Sequence, residues 1–173
     1  GHGVRLDFPE RTSLPVQIRG TLTAGRFEVP GHISSQYVSG LLLALPLLDG
    51  DSEIVMTSPL QSAPYVEMTR HTMQKFGVRS QQTAAGYTIP GGQCYQAVAY
   101  EVEADYSQAA YWLTANYTGS RIDIKGLSLN SVQGDRAIID LLAGFSAGGD
   151  SFTIDVSQVP DLVPILSVAA AAT

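Results

Sequence analysis

Cysteine is almost absent from this sequence: Cys94 is the only one, so no disulfide can form within the chain. A lone thiol suits a reducing compartment, and the expected setting is cytoplasmic. No basic stretch followed by an apolar core opens the chain, so no secretory signal is expected. Long hydrophobic runs are missing too. The two longest, 38–48 (broken by Ser39, Gly40 and Pro46) and 162–172, fall well short of the roughly 20 residues that span a bilayer. Each follows a helix-start signal and reads as a buried helix, so no membrane partner is expected. Positive charge is scarce, with 10 Lys and Arg against 16 Asp and Glu and a net charge of −6. Without a basic stripe to displace counterions, nucleic acid is excluded as a partner. His32 and His71 stand alone, with no carboxylate or second histidine at ligand spacing, so no metal site is expected. Cys94 has no histidine near it in sequence to make it a nucleophile.

What is present is a well-punctuated α/β pattern. Phe27 and Val29 alternate in a strand over 26–29; Val38, Leu41, Leu42, Leu45 and Leu48 fall at helical spacing over 34–48. A strand over 53–57, a helix over 62–76 and a pair of short strands at 79–83 and 87–89 complete a βαβαββ unit. Gly77 ends the second helix as a C′ glycine. The pattern then restarts: Tyr100-Glu101-Val102 resembles Phe27-Glu28-Val29, and Ser107 follows it at the distance at which Ser34 follows Val29. The second copy predicts a helix over 107–117, a strand over 121–125 and a helix over 135–145. A third start follows at 152–156, leading into a helix opened by Pro160-Asp161. The expected class is therefore α/β (α+β), with repeated βαβαββ units holding the apolar helix inside and the amphipathic one outside. The expected boundary lies at 96–104, giving residues 1–98 as one unit and 99–173 as the beginning of a second domain. That second copy is abbreviated after Phe145, where 146–151 leaves room for one short connection only.

Most candidate polar residues sit where helices begin: Ser34-Ser35-Gln36, Ser62 with Pro64 and Tyr65, Asp105 with Gln108, and Pro160-Asp161. A helix start offers free N–H groups and the positive end of the dipole, which suit phosphate or carboxylate. Taken one at a time, each of these residues is more economically read as a cap contributing about 1 kcal/mol. Tyr111, Trp112 and Tyr117 read as core rather than as a stacking platform. Spacing by itself stops at a repeated α/β protein with anion-friendly helix starts.

Four stretches go further. Gly31-His32-Ile33-Ser34-Ser35-Gln36-Tyr37, Ser62-Ala63-Pro64-Tyr65-Val66, Ser131-Val132-Gln133-Gly134-Asp135 and Val159-Pro160-Asp161-Leu162 resemble, in order, signatures of the 5-enolpyruvylshikimate-3-phosphate synthase family. The resemblance implies the enolpyruvyl transferase fold, with this chain as a central segment spanning parts of two domains. It implies transfer of the enolpyruvyl group of phosphoenolpyruvate to shikimate 3-phosphate, with release of phosphate and no cofactor. Carried over by motif, Ser34, Ser35 and Ser62 would bind the phosphate of shikimate 3-phosphate through hydroxyl and backbone N–H donors. Gln36 would lie against the ring and Tyr65 would support the phosphate pocket. Asp161 would bind ring hydroxyls and act as the catalytic general base. The cations that such a reaction needs would come from flanking segments of the same enzyme, since Arg11, Arg19 and Lys75 match no active-site motif. Two alternatives stay open: a non-catalytic anion-binding module, and a UDP-N-acetylglucosamine enolpyruvyl transferase, which Ser34-Ser35-Gln36 with Ser62 and Tyr65 disfavours.

Overall fold

The computed structural model describes residues 2–9, 14–146, 151 and 153–172. It opens with a small antiparallel pair, β1 (Val4–Asp7) and β2 (Gln17–Gly20). The sequence reading did not include this pair, although Val4 and Leu6 alternate with Arg5 and Asp7; both strands are short and largely exposed. A four-stranded mixed sheet follows, formed by β3 (Arg26–Pro30), β4 (Ser52–Ser58), β5 (Gln81–Thr83) and β6 (Gly86–Ile89), in the spatial order β3-β4-β6-β5. β3 and β4 run parallel, joined through helix α1 (Ser35–Ala44) and a 3-10 turn (Leu45–Leu47). Helix α2 (Ala63–Lys75) leads from β4 to the β5–β6 hairpin, whose strands pair antiparallel. These are the elements expected for the first unit. α2 ends at Phe76, and Gly77 takes φ +82°, where a side chain would be strained.

Alternation on the strands and helical spacing on the helices converge on one core. Phe27 and Val29 of β3, Ile54 of β4, and Tyr87 and Ile89 of β6 meet Val38 and Leu42 of α1 and Val66 and Met73 of α2. Fully burying each aliphatic side chain is worth roughly 1.5–3 kcal/mol. The expectation that the apolar helix would lie inside and the amphipathic one outside is corrected: α1 and α2 lie side by side against this core. Leu43 and Leu47 stay half exposed, because no second layer covers that side of α1 among the described residues.

The rest of the chain is helical. Helices α3 (Tyr106–Tyr117), α4 (Ile138–Ser146) and α5 (Val163–Ala171) enclose a second core around Tyr106, Ala110, Ile138, Leu162, Ile165 and Leu166. Short 3-10 turns, Gly134–Ala137 and Pro160–Leu162, lead into α4 and α5. Three expected strands are not formed among the described residues. Tyr100-Glu101-Val102, residues 121–125 and residues 153–156 have extended or irregular backbone without ladder partners. A strand is a pairing, and these stretches have no ladder partner among the described residues; side chains reach the backbone only nearby. Asn116 accepts from the Ile122 N–H (2.7 Å) and donates to the Ile122 carbonyl (2.8 Å), and Gln133 caps the carbonyl of Ala104 (2.8 Å). Residues 147–150 and Phe152, where the abbreviated connection and the third strand start fall, lie outside the described residues. The cap expected at Asp105 forms: it is the N-cap of α3, accepting from the N–H groups of Ser107 and Gln108, and the helix begins at Tyr106, one residue before the expected 107. Tyr111 and Trp112, expected in the core, are half exposed on α3.

Candidate functional site

All six residues singled out from the sequence line one cavity of about 600 Å³ that opens between the starts of α1 and α2. Ser34, Ser35 and Gln36 come from α1, Ser62 and Tyr65 from α2, and Asp161 from the 3-10 turn before α5. β3 and β4 are parallel neighbours, so the helices that follow them start at the same edge of the sheet. That topology brings distant serines together. Among the described residues no lysine or arginine lines the cavity, and Asp161 is the one charged side chain that does.

The two helix starts are not equivalent. Ser34 is a true N-cap, its Oγ accepting from the Gln36 N–H at 3.2 Å. A hydroxyl that accepts through a lone pair still has its proton to give, so capping and ligand binding are compatible at this residue. The Ser35 N–H is an orphan donor of the first turn of α1. Ser62 behaves differently. Its backbone is left-handed (φ 55°, ψ 36°), a conformation costing a non-glycine residue on the order of 1 kcal/mol or more, and its side chain makes no capping bond.

Backbone N–H donors expected at Ser62 are already used, which corrects that part of the reading. The Ser62 N–H donates to the Ser157 carbonyl (3.2 Å) and the Ala63 N–H to Gln158 Oε1 (2.9 Å). Pro64 has no N–H, and the Tyr65 N–H turns back to the Ser62 carbonyl (3.1 Å). From α2 the cavity therefore receives the Ser62 hydroxyl, while main-chain donors come from α1. The loop that occupies the α2 start is itself organised: the Ser157 N–H and hydroxyl hold the Asp155 carboxyl below the usual carboxylate range.

Tyr65 was expected to support a phosphate pocket, and its hydroxyl faces carboxyl groups instead. It donates to Asp161 Oδ2 at 2.9 Å and lies 3.2 and 3.4 Å from the two carboxyl oxygens of Asp135. Burial raises the phenol pKa above its ordinary value, and the hydrogen bond to Asp161 and the Asp135 charge push it the same way. The hydroxyl stays protonated at neutral pH and acts as a donor. Thr69, one turn on, donates to the Tyr65 carbonyl (3.0 Å) and lies 3.0 Å from Ser39 Oγ, tying α2 to α1.

Sequence reading assigned no role to Asp135, Ser107 or Gln133. Asp135 is 2% exposed and accepts hydrogen bonds from the hydroxyls of Tyr65 and Ser107. Gln133 is buried and accepts from the Tyr106 N–H at 2.7 Å, fastening the start of α3. The signal was the stretch Ser131-Val132-Gln133-Gly134-Asp135 itself, whose polar residues had no apolar periodicity to assign them to an inside face.

The fold and the cavity place the chain among mixed α/β proteins in which helix starts gather around one opening. A family model described as EPSP synthase (3-phosphoshikimate 1-carboxyvinyltransferase) matches residues 2–173. A 3-phosphoshikimate 1-carboxyvinyltransferase of Clostridium acetobutylicum is 46% identical over 97% of this chain and 42% of its own length. One from Clostridium perfringens strain 13 is 41% identical over 94% of this chain and 42% of its own length. The solved EPSP synthase of Acinetobacter baumannii has a similar fold (TM-score 0.63, 20% identity), covering 84% of this chain and 32% of that one. The chain belongs to the EPSP synthase family and spans about two fifths of the length of these curated relatives.

Proposed function

We propose that this chain is the central segment of an enzyme that transfers the enolpyruvyl group of phosphoenolpyruvate to shikimate 3-phosphate, a step in aromatic amino-acid biosynthesis. One observation carries the reading beyond family membership: three serines from two helix starts and one carboxylate line a single cavity. Ser34, Ser35 and Ser62 bind the phosphate of shikimate 3-phosphate, with the Ser35 N–H and the dipole of α1 behind them. Gln36 lies beside the ring. Asp161 takes the proton of the attacking ring hydroxyl as its oxygen bonds to the central carbon of phosphoenolpyruvate. The methylene carbon gains a proton in that addition and loses one in the elimination that expels phosphate. Tyr65 holds Asp161 from behind rather than the phosphate.

Among the described residues the cavity lining lacks positive charge, and two anions must be held together during the reaction. Flanking segments of the same enzyme supply those cations, in a cytoplasmic setting. Residues 1–98 form the last unit of one domain and residues 99–173 the beginning of the next. Two core clusters with no residue in common, one on each side of 96–104, support that division. No helix among the described residues is long and apolar enough to cross a membrane.

The test is phosphate release from the two substrates, measured on the 173-residue chain and on a full-length enzyme carrying it. The short chain is expected to be inactive. The full enzyme is expected to turn over, and Asp161→Asn to lower kcat by roughly 10² to 10⁴-fold with a small change in shikimate 3-phosphate binding. An inactive full enzyme, or full activity in Asp161→Asn, overturns the reading.

A further inference from the structure

Asp135 is the most deeply buried carboxyl group among the described residues, and no lysine or arginine pairs with it. Burying a carboxyl without a cation is costly, so its hydrogen-bond donors must compensate. Two side chains supply them. The Ser107 hydroxyl, in the first turn of α3, donates to Oδ2, and the Tyr65 hydroxyl donates from α2 at 3.2 Å. The backbone carrying Asp135 is fixed on both sides. Gln133 bonds to the Ala104 carbonyl and the Tyr106 N–H, and Gly134 lies against the Pro64 ring.

Asp135 does not line the cavity that holds Asp161. It lines a second one, of about 470 Å³, that backs onto the first, and Tyr65 belongs to both walls. Asp135 is absent from the lining of the cavity that holds the serines. Its reach to Asp161 runs through the Tyr65 hydroxyl, which stands 2.9 Å from Asp161 Oδ2. That hydroxyl has one proton and faces two carboxyl groups.

We propose that Asp135 is a positioning residue for Asp161, acting through Tyr65. In the resting arrangement the single Tyr65 proton forms a three-centre bond, its shorter arm to Asp161 Oδ2 (2.9 Å) and its longer arm to Asp135 Oδ2 (3.2 Å), so that Asp135 holds the phenol against Asp161. When Asp161 takes a proton from a bound hydroxyl, it becomes the poorer acceptor. Tyr65 then turns its hydrogen bond to Asp135. The phenol keeps its own proton throughout, so no proton leaves the site by this route. The stretch Ser131-Val132-Gln133-Gly134-Asp135 thus serves the base from outside the ligand cavity. The catalytic part of the inference rests on the transferase reading above; the hydrogen-bond link does not.

Two measurements decide it. In the 173-residue chain, the Tyr65 hydroxyl proton is followed by NMR, with Tyr65→Phe assigning the resonance, and its exchange with water is timed. Asp135→Asn is expected to speed that exchange at least fivefold, and unchanged exchange overturns the proposal. If Asp135→Asn yields no folded chain, Ser107→Ala reads the same link. Removing the competing donor tightens Tyr65 onto Asp135 and slows its exchange at least twofold, and no change again overturns it. In the full-length enzyme, Asp135→Asn is expected to lower kcat at least tenfold, with KM for shikimate 3-phosphate changed less than threefold. In a Tyr65→Phe background it should add less than a twofold loss. Losses that multiply in the double variant, or an effect confined to KM, show that Asp135 does not act through Tyr65. An inactive parent enzyme would count against the transferase reading alone, and the exchange experiment would then decide the link.

Discussion

Gly134→Ala tests whether the two halves of the site are in rigid contact. An added Cβ would lie 2.6 Å from Pro64 Cβ, 2.8 Å from Pro64 Cγ and 3.5 Å from Val159 Cγ1. Carbon atoms rest at about 3.5–4.0 Å, so the two proline contacts are short by about 1 Å. Pro64 cannot rotate away, because its ring is part of the backbone in the first turn of α2. The 3-10 turn must therefore move, or α2 must. Overpacking of this kind costs about 1–3 kcal/mol. The alanine recovers about 0.4–1 kcal/mol by restricting the unfolded chain, as the Gly134 backbone conformation is open to any residue. A net loss of about 1–2 kcal/mol corresponds to a Tm lower by about 2–8 °C for a chain of this size. Gly40→Ala is the control: it lies in α1, with nothing within 4 Å of its added Cβ. There the helix gains about 0.5–1 kcal/mol and Tm rises. Thermal and urea unfolding of the three proteins read both effects. A Gly134→Ala chain as stable as the parent, while Gly40→Ala is stabilised as stated, would refute the contact between the Gly134 turn and α2.

Two further expectations concern single side chains in the cavity. The Tyr65 phenol is raised above its ordinary value of 10.0, first by burial and then by Asp161, so its contribution to stability is complete below about pH 10. Above that pH the unfolded chain ionises first and stability falls, by at most about 1.4 kcal/mol per pH unit and by less after solvent screening. Tyr65→Phe removes its share of that slope and leaves the share of Tyr87 and Tyr95, whose phenols burial also raises. A parent and variant with equal slopes in urea melts above pH 10 would count against the buried donor. Ser34→Ala loses the cap of α1, about 1 kcal/mol. It also removes one hydroxyl donor, so inorganic phosphate should bind about tenfold more weakly in an NMR titration; unchanged binding would place the anion elsewhere.

Local physics made much of this chain readable before its structure. Strand alternation at Phe27 and Val29, helical spacing from Val38 to Leu45, and the glycine at position 77 each depend on neighbours a few residues away, and the first unit formed as those signals indicated. The six site residues were legible for a similar reason: a helix start is a local feature, and the motifs around Ser34, Ser62 and Asp161 are contiguous. The strands expected at Tyr100-Glu101-Val102 and 121–125 were not decidable in this way. Pairing is a long-range property, and no partner strand for either stretch lies among the described residues. Tertiary structure also decided what each polar group does. Whether the Ser62 N–H is free depends on Ser157, and the partners of Tyr65 lie 70 and 96 residues further along the chain. Burial of Asp135 is likewise a product of packing among α2, α3 and the 3-10 turn. Periodicity reports which residues face inward on one element. It is silent on which buried oxygen meets which hydroxyl once separate elements close together, and that is set by how the whole chain packs.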